Sequence, residues 1–163
     1  MTRTVLFLCS ANMYRSRLAE ILFNHYAGQS RAPWRARSRA LTDTRGLVGI
    51  SAYASEYLAA RGLGELCREP RDPQPVASDE IESADLIIGL CRAEHEPLVN
   101  SRFVGLARAR AAEDRLRYWN VYDARLRFAW PLRLVAMLGG IATARAARDP
   151  GPGPLRRRPP GRR

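Results

Sequence analysis

Cys9-Ser-Ala-Asn-Met-Tyr-Arg15-Ser16 sets a thiol six residues before a guanidinium, with a hydroxyl immediately after it. A cysteine attacks as its thiolate, and thiolates form readily at helix N-termini and beside arginine. An arginine offers a planar fork of donors that matches two oxygens of one phosphoryl group. Together these groups can do nucleophilic chemistry on phosphorus, with Cys9 as nucleophile and Arg15 as clamp. Ser16 is placed either to give a hydrogen bond to the sulfur or to help cap a helix. Arginine fills 27 of the 163 positions, so the spacing by itself has little specificity. The specificity comes from the elements on either side.

Thr4 to Cys9 is a short apolar run without polar alternation, the pattern of a central strand covered on both faces. After the loop Ser10 to Tyr14, residues Arg15 to Gly28 read as a helix with Leu18, Ile21, Leu22 and Tyr26 on one face and Gly28 as a stop signal. In an open α/β sheet, ligands bind beyond the carboxyl ends of the strands, and here that end is the cysteine loop. Unpaired N–H groups of the helix start point at the loop's centre, and successive inward amides make a concave nest for a tetrahedral oxyanion. Ser10, Ala11, Asn12, Met13, Tyr14, Arg15 and Ser16 are therefore expected to bind phosphate. Further along, Trp34 to Leu41 reads as a half-exposed edge strand with alternating Arg35, Arg37 and Arg39, and Ser51 to Arg61 as a helix. Ser78 should cap a short helix that carries Asp79 and Glu80 in its first turn. Asp85 to Cys91 reads as a buried strand, Glu94 to Asn100 as helix, Leu116 to Val121 as a fourth strand and Pro131 to Arg148 as a last helix. Strands alternating with helices predict an α/β fold with a parallel sheet and right-handed crossovers.

The formal net charge is +11, and every basic residue is arginine. Residues 149–163 (DPGPGPLRRRPPGRR) carry five arginines against one acid and show no apolar periodicity, so they read as a disordered tail. The expected organisation is one domain over 1–148 followed by that tail, and nucleic acid is not the expected partner. No stretch approaches the roughly 20 apolar residues of a membrane span, and Val5 to Ala11 is too short for a signal peptide, so a cytoplasmic location is expected. Cysteines at 9, 67 and 91 lack zinc or disulfide-framework spacing. Neither a metal nor a cofactor is expected, because arginine and backbone donors can supply the electrostatic stabilisation.

Val5-Leu-Phe-Leu-Cys9-Ser-Ala-Asn12-Met-Tyr-Arg15-Ser16-Arg-Leu-Ala19-Glu20 resembles the N-terminal signature of the low-molecular-weight protein tyrosine phosphatases, and Ser83-Ala84-Asp85-Leu86-Ile87-Ile88 with His95 and Leu98 is similar to that family's central strand and following helix. The resemblance implies a single flavodoxin-like domain with a four-stranded parallel sheet and helices on both faces. It implies a phosphotyrosine protein or small aryl phosphate as substrate and a cysteinyl-phosphate on Cys9. Asn12 would hold the loop open through side-chain hydrogen bonds. The family's general acid is an aspartate on a late loop, and Asp123 occupies that place, with Asp114 and Asp43 as competitors. Tyr118, Trp119 and Tyr122 could stack on an aryl ring, although packing at a strand end is the more usual role. The chain departs from the pattern at Ala124, where proline usually follows the acid, at Tyr14, where a second cysteine often stands, at Arg17, and at the turn Ser38-Arg39-Ala40. A related thioredoxin-coupled arsenate reductase would need a thiol relay, for which Cys91 is present but a second cysteine nearby is not. A non-catalytic phosphate-binding member of the family is the other alternative. His95 reads as a helix-surface histidine.

Overall fold

The computed structural model describes residues 1–123. The chain divides into two units, Met1–Tyr122 and Asp123–Arg163, and the sheet with its helices belongs to the first. The expected helix Pro131 to Arg148 and tail 149–163 lie outside the described residues.

The apolar run after Thr2 forms the inner strand β1 (Arg3–Cys9), flanked by β2 (Trp34–Ala40) on one side and β3 (Leu86–Gly89) on the other, with β4 (Leu116–Tyr118) beyond β3. All three pairings are parallel, with Cys9 opposite Ala40, Leu8 opposite Gly89 and Gly89 opposite Tyr118. Helices α1 (Arg15–Gln29), α2 (Ala52–Ala59), α3 (Ser78–Ser83), α4 (Arg92–Arg102) and α5 (Val104–Ala112) connect them, with a 3-10 turn at Gly64–Cys67. Side chains of β1 alternate between the two faces. Leu6 and Leu8 pack with Ile81, Val99, Phe103 and Ala107 from the α3 to α5 region, while Val5 and Phe7 pack with Ala19 and Phe23 of α1. A strand covered by helices on both faces has no polar face to show, which is why its sequence does not alternate. At the edge, Arg35 and Arg37 of β2 are exposed while Ala36, Ser38 and Ala40 are buried, as the alternation predicts.

Several elements differ from expectation. The buried side of α1 is Arg15, Ser16, Arg17 and Ala27, with Ala19 and Phe23 against the core, and Tyr26 is exposed. The helical phase is set by Ser16, which must face Cys9, and positions 19, 23 and 27 then follow at helical spacing. The α3 N-cap is Ala77 rather than Ser78, and the Glu80 carboxylate accepts the Ala77 N–H in place of a capping hydroxyl. Helix α4 starts at Arg92 and carries Pro97 inside it. Helix α5 has no counterpart in the sequence patterning: Val-Gly-Leu-Ala-Arg-Ala-Arg-Ala-Ala lacks a broad apolar stripe and buries only Ala107 fully. β4 ends at Tyr118, after which Trp119 and Val121 still donate to Gly89 and Leu90 carbonyls and Cys91 bridges Asn120 in antiparallel fashion. No helix among the described residues is long and apolar enough to cross a membrane.

Gly89 is required by a close approach. A Cβ there would lie 2.5 Å from Tyr118 Cδ1 on the neighbouring strand. The Tyr118 ring packs against the core cluster, and burial pushes its phenol up to about 12. Gly89→Ala is expected to destabilise the fold by about 1–3 kcal/mol through overpacking, read as a lower urea midpoint with unchanged m-value.

Candidate active site

The loop between β1 and α1 wraps around the Cys9 sulfur. Asn12 N–H donates to Cys9 Sγ at 3.3 Å, and Ser16 Oγ lies 2.9 Å from the same sulfur. Asn12 has a left-handed backbone, φ 54, which asparagine tolerates better than most residues, and its side chain is completely buried. Its side-chain oxygen accepts from Arg71 Nη1 (3.1 Å) and Gln74 N–H (3.2 Å). Both partners can only donate, so the amide has one possible orientation. Its Nδ2 then donates to Ser16 Oγ and to Ser38 Oγ, each at 2.9 Å. That leaves the Ser16 hydrogen available to Cys9 Sγ once the sulfur is a thiolate, and the Ser38 hydrogen goes to Glu20 Oε2 at 2.5 Å. A thiolate at Cys9 thus has two donors converging on it, the Asn12 N–H and the Ser16 hydroxyl.

The loop carbonyls are engaged elsewhere. Leu41 N–H donates to Cys9 O, Thr42 N–H to Ser10 O and Ser51 N–H to Met13 O, which ties the loop to the end of β2 and the start of α2. Each trans peptide plane carries its N–H on the side opposite its carbonyl, so the N–H groups of Ser10, Ala11 and Tyr14 face the other way. Helix α1 has no acidic residue in its first turn and no side-chain cap. Ser16 is occupied at the sulfur instead of capping.

Arg71 is a member of the site that sequence reasoning misses. Besides Asn12, it reaches Glu20 Oε2 (2.9 Å), Ser38 O (2.8 Å) and Ser38 Oγ (3.0 Å). Glu20 also accepts from the buried Arg17 at 3.3 Å. Burial lowers the affinity of both guanidiniums for their protons, and Glu20 works against that shift. In a chain with 27 arginines and no defined motif around Arg-Asp-Pro, no local signal marks Arg71. Ser38 is in place although its turn is Ser-Arg-Ala, because residues 38 and 40 are the inward positions of β2.

Arg15 is only 6% exposed. Its Nη2 donates to Glu94 Oε2 at 2.6 Å and its Nη1 to Val121 O at 3.2 Å. The hydrogen bond from Arg15 is the main reason that the Glu94 carboxyl titrates below its usual range. His95, expected on the surface, is fully buried in the first turn of α4. Its Nδ1 accepts the Cys91 N–H at 2.9 Å, and burial pulls its pKa down to about 4.

The remaining sequence candidates divide. Trp119 and Tyr122 are 46% and 52% exposed, and Trp119 keeps an edge on Phe7 with ring centroids 5.9 Å apart. Tyr118 instead turns into the core, with its hydroxyl enclosed. On the other side of the loop, Tyr14 pairs with Tyr53 of α2 at 6.0 Å. Asp43 is bonded to Arg45 and Asp114 to Arg117, both in exposed pairs. Asp123 begins the second unit. Cys91 is buried, and Cys67 donates to Gly64 O within its 3-10 turn. Among the described residues, no group of three or more His, Cys, Asp or Glu could hold a metal ion.

The family described as low molecular weight phosphotyrosine protein phosphatase matches residues 4–124. No curated protein matches. Among solved structures, a low molecular weight phosphotyrosine phosphatase from Vibrio cholerae O395 is similar with a TM-score of 0.63 at 20% identity, over 91% of this chain and 99% of that one. A low molecular weight protein tyrosine phosphatase from T. tengcongensis gives 0.63 at 19% identity, over 90% and 99%. The YwlE arginine phosphatase from Geobacillus stearothermophilus gives 0.56 at 16%, over 90% and 96%. At such identities these likenesses speak for the fold.

Two outcomes follow from the geometry. Arg71→Ala leaves the Asn12 oxygen and Glu20 short of partners, and is expected to cost roughly 2–3 kcal/mol of stability, whereas Arg45→Ala, in an exposed pair, should leave the denaturation midpoint nearly unchanged. Chemical denaturation of both variants compares them. His95 has a folded pKa of about 4 against 6.5 for the free side chain, so the unfolded chain binds the extra proton first. Its contribution, on the order of 3 kcal/mol, is present above pH 6.5 and is lost as pH falls towards 4. His95→Asn should flatten the fall in urea midpoint between about pH 7 and pH 4.5.

Proposed function

The chain belongs to the low molecular weight phosphotyrosine protein phosphatase family, and from that premise we propose that it hydrolyses phosphotyrosine and small aryl phosphates through a cysteinyl-phosphate on Cys9. The observation that carries this reading is the pair of directed hydrogen bonds on Cys9 Sγ, from Asn12 N–H and Ser16 Oγ, at the mouth of a helix whose first residue is Arg15. Cys9 Sγ attacks phosphorus in line with the leaving oxygen. The phosphoryl oxygens are received by the Arg15 guanidinium and by the N–H groups of the loop Ser10 to Ser16. As the P–O bond to the aryl group breaks, Asp123 gives its proton to the phenolate oxygen. A water then attacks phosphorus and loses its proton to Asp123, the P–S bond breaks and inorganic phosphate leaves. The Ser16 hydrogen, directed by Asn12, stabilises the sulfur as it departs.

Trp119 and Tyr122, both exposed, and the Tyr14–Tyr53 pair are the groups we assign to the aryl ring of the substrate. They favour phosphotyrosine over phosphoarginine, the substrate implied by the name of the arginine phosphatase neighbours. Hydrolysis is also favoured over a thiol relay of the arsenate-reductase kind, since Cys91 is enclosed and Cys67 is held in its own turn.

Cys9→Ser is expected to remove phosphate release from an aryl phosphate while retaining its binding. Asp123→Asn should lower kcat by roughly 10²–10⁴-fold, with the largest loss on poor leaving groups. An unchanged kcat on phenyl phosphate would refute the acid assignment. Parallel assays with phosphoarginine and with arsenate plus thiol should give far lower rates than phosphotyrosine.

A further inference from the structure

A carboxylate stands directly against the arginine that the proposed reaction uses as its phosphoryl clamp. Glu94, the third residue of α4, takes the Arg15 Nη2 hydrogen bond at 2.6 Å, while Val121 O takes one from Nη1 at 3.2 Å. A guanidinium is planar, so acceptors at both of its terminal nitrogens fix the plane of the whole fork. The carboxylate also carries a cost. A negative charge beside the clamp lowers the positive potential that a phosphoryl dianion would meet. If Glu94 only tempered charge, the site would bind phosphate better without it.

The groups beneath Glu94 indicate orientation. His95 Nδ1 accepts the Cys91 N–H at 2.9 Å, so in the neutral ring the proton resides on Nε2. That Nε2 lies 3.7 Å from Glu94 Oε2, just beyond a direct hydrogen bond, and among the described residues neither His95 Nε2 nor Glu94 Oε1 has a partner within hydrogen-bond reach. His95 is itself fully buried at the end of β3 and anchored to the backbone there. A rigid N–H donor therefore faces the carboxylate that holds the arginine. The charged and titratable groups acting on this pair are Arg15 from α1, which acts on both His95 and Glu94, and Cys91 just before α4, which acts on Glu94.

We propose that Glu94 is a positioning residue for Arg15, backed by His95, and that it presets the guanidinium for phosphoryl binding at the cysteine loop. This rests on the reading of Arg15 as a phosphoryl clamp. The Glu94 carboxylate restricts the arginine before substrate arrives, and that preorganisation outweighs the electrostatic cost of its charge.

The test is the inhibition constant for inorganic phosphate and vanadate, measured beside kcat/KM on phosphotyrosine and the thermal midpoint. Glu94→Ala is expected to raise both inhibition constants about tenfold or more and to lower kcat/KM by roughly 10- to 100-fold. Glu94→Gln, whose amide oxygen can still accept from Arg15, should lie between Glu94→Ala and the unaltered protein. His95→Asn keeps an acceptor for the Cys91 N–H but has no Nε2, and should raise the phosphate inhibition constant a few-fold. Unchanged or tighter phosphate binding in Glu94→Ala, with the thermal midpoint retained, would overturn the proposal and leave the phosphatase reading standing. Should Glu94→Ala fail to fold, the same outcome in Glu94→Gln decides. Failure of the unaltered protein to bind phosphate or vanadate would instead overturn the clamp reading, and this proposal with it.

Discussion

The two hydroxyls that organise the floor of the cysteine loop, those of Ser16 and Ser38, depend on the side-chain amide of Asn12. Its oxygen is locked by two pure donors, so its two N–H bonds have fixed destinations, and each destination is a hydroxyl whose own hydrogen is thereby aimed. An asparagine in the left-handed region can hold the loop backbone and serve as the hub of this network at once, which few other residues could do. Because the amide is fully buried, each unmade bond would cost its whole desolvation penalty, and the native arrangement has little competition.

The arginine richness takes on a structural sense around that hub. Arg15, Arg17 and Arg71 are drawn under or beside the loop, where planar guanidiniums can bridge several acceptors at once. Glu20 and Glu94 each answer one or two of them. Elsewhere the same residue type lies on exposed surface, as in Arg45 and Arg68, in pairs that contribute little. Composition alone cannot separate these two populations, because the difference lies in what the fold brings opposite each arginine.

Legibility follows the range of the interactions. β1, the cysteine loop and the start of α1 are contiguous and strongly patterned, and they can be read along the chain. The parallel sheet and its both-face coverage follow from the alternation of apolar runs with helices. The buried face of α1 is misjudged from its sequence, because its phase is set by a single contact between Ser16 and Cys9 and not by its most hydrophobic residues. Arg71 is invisible for a related reason: it lies 59 positions from Asn12, in a Pro-rich stretch with no periodicity. His95 reads as a surface residue because a lone histidine among charged neighbours carries no sign of burial, whereas its place is set by the hydrogen bond from Cys91 N–H to its Nδ1.

The chain from Arg71 through Ser38 and Glu20 to Asn12 and Ser16 has a bearing on how this sequence can drift. Each hydroxyl in it both gives and receives, so a substitution at one member redirects the hydrogens of the next. Changes at these five positions should be strongly epistatic, with double replacements costing less than the sum of the single ones. A viable neighbour in sequence space would then differ at Glu20, Ser38 and Arg71 together, as a swapped set, more readily than at any one of them.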